Sequence, residues 1–321
     1  MRFRPLLCIP FLLLTACLPS PPSKVIGVVP KGAGHVFWLT VKAGAQKAAA
    51  EAGYTVEWNA PTLEVDASRQ KDIVDSMITR RLAGIALAPV ERNALAGTVD
   101  RGHNAGIPMA VFDSDVDTPN RLTYVATDNR EGGRMAARRL AEGLGGKGKV
   151  ALIGFMPGSA STMEREAGFR EEMQARFPGI QIVVESFGMA NRAKAMAVTE
   201  NALTAYPDLA GIFADNESSS AGALQAIKSR QARKVKFVAF DANEQFIEDL
   251  RTGWIDAIVL QDPYQMGYEA VKAITTRLSG GAPAPRRDLP ATLVHLGNLD
   301  AKDIPPLILP AAQKQLTQAV H

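Results

Sequence analysis

Hydrophobic residues along this chain form short runs that alternate with longer segments of helical character. Short apolar runs between turn residues predict buried strands, and longer segments with apolar residues three and four apart predict helices. A first series gives strands at 25–29, 55–58, 84–88, 109–112 and 124–126, and helices at 39–52, 66–82 and 92–105. Such alternation predicts a parallel sheet with right-handed crossovers.

The same alternation then begins again. The second series gives strands at 149–154, 180–186, 211–214 and 235–240, and helices at 161–176, 191–205, 217–229 and 243–252. A strand at 257–260 and a helix at 265–279 follow. We therefore predict two similar α/β lobes, and we expect the chain to pass from the first to the second at Thr127-Asp128.

One pattern occurs once in each series. Residues 84–89 lead, 29 residues on, to Val111-Phe112-Asp113, and residues 211–216 lead, 30 residues on, to Ala239-Phe240-Asp241. Each copy is an apolar strand, a helix-length segment and a second apolar strand that ends in Phe-Asp. The carboxyl ends of buried parallel strands are where open α/β sheets bind ligands. The repeat therefore predicts a site formed by two facing sheet edges.

Length and composition fit this division. A chain of 321 residues is long enough for two domains of ordinary size. With 46% hydrophobic and 21% charged residues it is an ordinary globular sequence, which excludes disordered and collagen-like proteins.

The N-terminus has the layout of an export signal, with Arg2 and Arg4 before an apolar run from Leu6 to Leu14. Residues 14–17, Leu-Thr-Ala-Cys, resemble the bacterial lipobox, whose cysteine is lipidated. The alternative is a plain signal peptide that is cleaved elsewhere. We predict removal of residues 1–16, lipidation of Cys17 and a short tether at 17–24, which implies an exported protein anchored to a membrane.

Removal of that signal changes the charge and the cysteine count. It takes away two arginines, which leaves 34 basic and 33 acidic residues, so no basic surface for nucleic acid is expected. Cys8 is lost with the signal and Cys17 is the predicted anchor, so no cysteine remains for a disulfide.

Patterns that would indicate catalysis or a cofactor are incomplete. Gly27 and Gly32 have the glycine spacing of a P-loop, but the lysine and hydroxyl residues that should follow are missing. Asp113, Asp115 and Asp117 alternate as in a calcium loop, but the turn glycine and the closing acid are replaced. The four histidines show no metal-ligand spacing. We therefore predict a protein without a cofactor or metal.

What remains is a group of polar and aromatic residues near the strand ends. Lys31, Phe37 and Trp38 follow the first strand, where an aromatic face could stack on the apolar side of a sugar ring. The alternative is that the two aromatics only start the next helix. For Asp113 the alternative is a helix N-cap or a turn, an interpretation that its counterpart at Asp241 makes weaker.

Taken together, these segments resemble the type I periplasmic sugar-binding proteins of ABC transporters, the ribose-binding group. The resemblance covers residues 25–300 approximately and depends on the order and spacing of several segments: 26–46, 107–113, 126–129, 164–169, 203–208, 240–241 and Gln261. It implies two doubly wound parallel-sheet lobes joined by a three-segment hinge. The crossings would lie at Thr127-Asp128, Gln261-Asp262 and Leu289-Pro290. The N-terminal lobe would contain 25–127 and 262–290, and the C-terminal lobe 128–261 and 291–321.

The resemblance also implies a ligand set. The family's binding positions fall on Phe37, Trp38, Asp113, Arg165, Asn216, Asp241 and Gln261. These groups accept and donate hydrogen bonds as a neutral polyol requires. His35 and Ser114 occupy positions where ribose binders have Asn and Arg, and Ala88 and Ala190 replace an Asn and a closing Phe. These differences favour a pyranose or a sugar alcohol over ribose.

A second branch of the family offers an alternative. Pro30-Lys31 and Asp113-Ser114-Asp115 resemble the autoinducer-2 binding proteins, in which the matching lysine and aspartate touch the ligand. In either case the resemblance implies a solute-binding lipoprotein that delivers its sugar to an ABC permease, with a chemoreceptor as a further candidate partner. We expect a monomer that is not an enzyme; a glycosidase acid pair at Asp113 and Asp241 is the rival interpretation.

Overall fold

A computed structural model describes residues 23–34, 36–302 and 304. The strands of this part of the chain are β1 (Val25–Val29), β2 (Thr55–Trp58), β3 (Gly84–Leu87), β4 (Met109–Phe112), β5 (Thr123–Thr127), β6 (Lys147–Gly154), β7 (Gly179–Phe187), β8 (Leu209–Ala214), β9 (Lys236–Phe240), β10 (Ala257–Leu260), β11 (Arg286–Leu289) and β12 (Thr292–Val294). Its helices are α1 (Val36–Glu51), α2 (Ala67–Thr79), α3 (Ala96–Asn104), α4 (Asn129–Gly143), α5 (Ala160–Arg176), α6 (Arg192–Ala205), α7 (Glu217–Ser229), α8 (Glu244–Arg251) and α9 (Pro263–Leu278).

The strands form two six-stranded sheets with the same winding. The first has the order β2-β1-β3-β4-β5-β11 and the second β7-β6-β8-β9-β10-β12. Neighbouring strands are parallel except β10 and β12, which are antiparallel. Helices cover both faces of each sheet, and the reversal of strand order beside β1 and β6 is that of a doubly wound fold. The predicted fold class, two α/β lobes, is confirmed.

Burial explains why the central strands read as unbroken apolar runs. All residues of β3 and β4 are buried, and so are all residues of β10. A parallel strand covered by helices on both faces needs apolar side chains in both directions. Each lobe accordingly has two apolar clusters, one on each face of its sheet.

Helices α1 and α9 pack so closely that glycine is required on both. A Cβ atom added to Gly44 would lie 2.0 Å from the carbonyl oxygen of Tyr264, and one added to Gly267 would lie 2.1 Å from that of Val41. Since α9 follows β10 of the second sheet in sequence, this contact returns the chain to the first lobe.

The chain passes between the two sheets three times in the described residues. Asp128 ends the first passage and caps α4, its side chain accepting from the Glu131 N–H at 3.0 Å. Asp262 ends the second and caps α9 in the same way. The third passage joins β11 to β12 through residues 290–291. An aspartate at the N-cap lets a helix begin shortly after the preceding strand ends.

The sequence-based elements differ from the structure in several places. Helix α4 and strands β11 and β12 were not predicted. Strand β6 begins at Lys147, before the predicted start at 149. Helix α1 begins at Val36, before the predicted start at 39, so Phe37 and Trp38 lie in its first turn. The predicted signal peptide at 1–16, Cys17 and nearly all of the tether at 17–24 lie outside the described residues.

Candidate functional site

A cavity lies between the carboxyl edges of the two sheets. Eight predicted residues line it: Lys31, Phe37, Trp38, Asp113, Arg165, Asn216, Asp241 and Gln261. Five further lining residues were not predicted: Glu64, Phe155, Ser161, Thr162 and Glu217. Each lobe contributes to both sets.

The two aspartates of the sequence repeat have the same backbone conformation. Asp113 has φ = 62° and Asp241 has φ = 64°, in the left-handed region that side chains other than Asn, Asp and Gly rarely adopt. The N–H of Asp113 donates to the Val125 carbonyl at 2.9 Å, and that of Asp241 donates to the Val259 carbonyl at 2.9 Å. Each strand therefore ends in one fixed bend that places a carboxylate at the cavity.

Asp113 is buried and paired with a cation. Its Oδ2 lies 2.7 Å from Nζ of Lys31, and both side chains are about 5% exposed. The hydroxyl of Tyr124 donates to the Asp113 carbonyl oxygen at 3.4 Å. Burial, and next the charges of Asp115 and Asp113, raise the pKa of the Tyr124 phenol well above its usual value, so this group stays protonated.

Asp241 accepts hydrogen bonds from two neutral donors. Its Oδ1 accepts from Nε2 of Gln261 at 2.7 Å, and its Oδ2 accepts from the backbone N–H of Glu217 at 3.1 Å. The latter N–H belongs to the first turn of α7, where the helix dipole favours negative charge. Oε1 of Gln261 in turn accepts from the Thr127 hydroxyl at 2.6 Å. This chain of hydrogen bonds connects β5 of the first lobe to the second lobe.

Arg165 of α5 is fixed from three sides. Its Nε donates to Oδ1 of Asn129 at 2.8 Å, and Nη1 donates to the Asp215 carbonyl at 2.8 Å. The guanidinium lies 3.8 Å from the centre of the Phe240 ring. Among the described residues none accepts from Nη2. A preoriented guanidinium of this kind can donate to a ligand hydroxyl.

A buried carboxyl pair lies behind Arg165. Asp215 is fully buried, and neither of its carboxyl oxygens accepts a hydrogen bond from a described residue; the same holds for Oε1 of Glu166. The two carboxyl groups lie close enough for the charge of Glu166 to raise the pKa of Asp215. Burial is the main cause that raises the pKa of both carboxyl groups. The charged forms of both groups are therefore disfavoured, so the pair keeps a proton more readily than exposed carboxyl groups do.

Trp38 and Phe37 differ in their burial and in their contacts. Trp38 is 4% exposed, packs edge-on against Phe112 at 6.4 Å, and donates from Nε1 to Oε1 of Glu64 at 2.6 Å. It is therefore both a core residue and a wall of the cavity. Phe37 is half-buried and packs against Trp38 in a T-shaped contact. Trp38 thus lies both at the start of α1 and in the cavity wall, and its stacking on a sugar ring stays a prediction.

The remaining predicted residues have local partners. Asn216 caps α7, its Oδ1 accepting from the Ser219 N–H and its Nδ2 donating to the Ser218 hydroxyl at 2.9 Å. Ser114 is fully buried beside Lys31 and does not line the cavity. His35 lies outside the described residues.

The alternating aspartates do not converge on a metal site. Asp113 pairs with Lys31, Asp115 with Arg121 at 3.1 Å, and Asp117 with Arg92 at 3.7 Å. In the part of the chain that the structure describes, no group of three or more acidic, histidine or cysteine side chains could hold a metal ion. These aspartates serve instead as partners of separate cations.

Sequence signals existed for some of the residues that the prediction missed. Glu64 follows β2 and Phe155 follows β6, so both come from the same sheet edges as the predicted residues. Glu217 is adjacent to Asn216. Ser161 and Thr162 lie in the first turn of α5, four and three residues before Arg165, which puts them on the same side of the helix.

The chain is similar to known proteins over most of its length. A model of the periplasmic binding protein domain matches residues 26–282. A ribose import binding protein of Bacillus subtilis is 29% identical over 287 residues, 86% of this chain and 92% of that protein. A D-ribose/D-allose-binding protein of Pseudomonas aeruginosa is 30% identical over 293 residues, 88% of this chain and 91% of that protein.

Solved structures give a similar result. A carbohydrate transporter solute binding protein of Agrobacterium radiobacter, solved in complex with D-arabinose, superposes with a TM-score of 0.86. Its sequence is 29% identical, and the match covers 89% of this chain and 99% of the other.

Proposed function

This chain belongs to the periplasmic binding protein family as a type I sugar-binding protein of ABC transporters, and we propose that it captures a monosaccharide or sugar alcohol and delivers it to a membrane permease. Members of this family are transport proteins and not enzymes, so the prediction of a protein without catalytic activity is confirmed. The glycosidase interpretation of Asp113 and Asp241 is therefore dropped.

The observation that carries the proposal is the mixture of groups in one cavity. Asp113 and Asp241 face it as fixed hydrogen-bond acceptors, Arg165 as a fixed donor, and Phe37 and Trp38 as aromatic walls. A sugar ring has hydroxyl groups around its edge and apolar C–H groups on its faces, so it needs this combination. The sugars that accompany the relatives, D-ribose, D-allose and D-arabinose, support a monosaccharide.

The proposed mechanism is closure of the two lobes about their three connections. A ligand that touches Asp113 in one lobe and Asp241 in the other gains contacts in the closed state that the open state lacks. The hydrogen bonds from Thr127 through Gln261 to Asp241 cross one of these connections. They would couple the position of the second aspartate to the relative position of the lobes.

A ligand screen tests the proposal. Purified protein would be heated with individual pentoses, hexoses, sugar alcohols and autoinducer-2, since a ligand that binds only the folded state raises the melting temperature. We expect one monosaccharide or sugar alcohol to raise it and to bind in calorimetry with one site. If none of these compounds changes the melting temperature or releases heat, the proposed ligand class is wrong.

One observation favours autoinducer-2 as the second candidate. Lys31 lies in the cavity lining beside Asp113, as the resemblance to that branch requires. The same screen separates the two candidates, because the protein would respond to autoinducer-2 and not to ordinary sugars.

The location of the protein and its protein partners are also part of the proposal. Family membership implies a location outside the cytoplasm. Lipidation of Cys17 after removal of residues 1–16 would anchor the protein beside its permease, and in the described residues no helix is long and apolar enough to cross a bilayer. Incorporation of a labelled fatty acid that is lost in Cys17→Ser would support this anchor.

Contact with a chemoreceptor is a further expectation, which a pull-down would check. A monomeric state is another, which light scattering would check.

A further inference from the structure

Lys31 lies at the centre of a buried polar cluster. Its Nζ is 2.7 Å from Oδ2 of Asp113 and donates to the hydroxyls of Ser114 at 2.7 Å, Ser161 at 3.2 Å and Ser159 at 3.3 Å. All five side chains are at least nine-tenths buried. We call these five residues the Lys31 cluster.

The cluster is assembled from both lobes. Lys31, Asp113 and Ser114 follow β1 and β4 of the first sheet, whereas Ser159 and Ser161 lie at the start of α5 in the second lobe. Two direct contacts between Ser114 and Ser161 also join the two lobes. The hydroxyl oxygens of the two serines are 2.7 Å apart, and the Ser161 N–H donates to the Ser114 Oγ at 3.2 Å. The ion pair of Lys31 and Asp113 lies within one lobe, but the contacts to α5 require both lobes to be together.

Neighbouring contacts close the same end of the cleft. The N–H of Arg92 in the first lobe donates to the Gly158 carbonyl of the second at 3.0 Å. Val90 packs with Phe155 and Met156 in an apolar cluster of buried residues from both lobes. The Lys31 cluster is therefore the polar part of a continuous contact between the lobes, beside the cavity.

We infer that Lys31 is a closure residue, which holds Asp113 in place and favours the closed state through Ser159 and Ser161 even when no sugar is bound. A buried ammonium needs several acceptors, and this one obtains two of its hydroxyls only from the opposite lobe. Contacts made only in the closed state raise its population. A larger closed population in turn raises the apparent sugar affinity, a consequence that depends on the proposed function.

Amide exchange in sugar-free protein tests this inference. The N–H of Arg92 is a reporter of closure, because its acceptor lies in the opposite lobe. Its exchange rate would be measured by NMR in the full chain and in Ser159→Ala/Ser161→Ala, Lys31→Met and Ser219→Ala. Ser219 is the matched control, since its buried hydroxyl donates to the Gly154 carbonyl within the second lobe.

We expect exchange at Arg92 to become about tenfold faster in Ser159→Ala/Ser161→Ala, because hydrogen bonds to a charged group are lost. Lys31→Met should have the same or a larger effect, and Ser219→Ala should have none. An unchanged rate in the double serine variant overturns the inference, and so does an equal increase in Ser219→Ala. If Lys31→Met does not fold, the double serine variant decides. The outcome does not depend on which sugar, if any, the protein binds.

Discussion

Asp113 and Asp241 occupy equivalent places in the two lobes and are held in different ways. Both follow a buried phenylalanine at the end of a strand, both have φ near 60°, and both N–H groups donate to the adjacent strand at 2.9 Å. Asp113 is then paired with the ammonium of Lys31, whereas Asp241 accepts from an amide and a backbone N–H. The same backbone bend thus holds two different carboxylates. The one in the first lobe is paired with an ammonium, and the one in the second lobe accepts from the N-terminus of a helix.

The difference extends to the neighbouring strand. In the sequence repeat Asp215 of the second lobe corresponds to Ala88 of the first. The second lobe therefore has a buried carboxyl pair, Asp215 and Glu166, where the first has an alanine at the corresponding strand position. Equal substitutions in the two lobes should have unequal effects on stability and on pH dependence.

The largest effect is expected from Asp113→Ala. This change leaves the Lys31 ammonium buried without its counter-ion, and breaking a buried ion pair costs about 3–5 kcal/mol. Urea denaturation of the sugar-free protein measures the loss in the free energy of unfolding. Asp72→Ala, at an exposed aspartate on α2, should change it by less than about 0.5 kcal/mol. If Asp113→Ala were as stable as that control, the ion pair would not contribute to the fold.

Asp241→Ala should lower the free energy of unfolding by less than Asp113→Ala does, but it should strongly weaken sugar binding. It leaves two neutral donors without an acceptor, which costs about 1–3 kcal/mol. Sugar affinity should fall by about 100-fold or more, since hydrogen bonds from ligand hydroxyls to a carboxylate are among the strong ones. Calorimetry with the sugar identified by the screen measures this. Normal binding by both alanine variants would mean that the cavity is not the sugar site.

The buried carboxyl pair predicts a pH dependence that belongs to the second lobe. Burial raises the pKa of Asp215 and Glu166 in the folded state, so the folded protein keeps a proton that the unfolded chain loses above about pH 4. The free energy of unfolding should therefore decrease as the pH rises from there through the folded-state pKa values. Arg165 and Arg170 oppose this shift, and Glu185 adds to it.

Asp215→Asn should reduce this loss, because the amide is uncharged and can donate to Glu166 without a shared proton. Denaturation at about pH 5 and about pH 8 compares the slopes of the variant and the parent. An unchanged slope would show that the pair does not hold a proton in the folded state.

The smallest effect is expected at the hydrogen-bond chain between the lobes. Thr127→Val removes the donor to Gln261 and should weaken sugar binding by about 1 kcal/mol, or roughly fivefold. Thr123→Val, in the same strand, is the matched control, because its hydroxyl donates to the Ala284 carbonyl at 2.7 Å. Equal affinities for the two variants would show that the chain from Thr127 to Asp241 does not influence binding.

Most elements of the fold could be predicted because their hydrophobic patterns are strong. Strands such as β3 and β10 are wholly buried, and their sequences show it. Strands β11 and β12 could not be predicted, because three of the four residues of β11 are exposed and β12 has only three residues. Both strands form because they pair with edge strands from earlier parts of the chain, β11 with β5 and β12 with β10.

The candidate site was predictable to the extent that it repeats a strand-end pattern. Asp113 and Asp241 were found in this way, and the resemblance supplied Arg165, Asn216 and Gln261. The contact of Glu64 with Trp38 depends on how a loop folds back over α1, which no local pattern encodes. The environment of Lys31 depends on both lobes together. Sequence reasoning therefore found the residues better than their partners.

The close contact of α1 with α9 has a consequence for the order of folding. The first lobe is incomplete until α9 and β11 have been synthesised, whereas the second sheet needs only β12 from beyond residue 260. Contacts between distant segments form slowly because closing a long loop costs entropy. Pulsed hydrogen exchange during refolding should therefore protect β8 and β9 before β1 and β3, and the reverse order would contradict this. During synthesis the half that leaves the ribosome first would thus have to wait for α9 and β11 before it is complete.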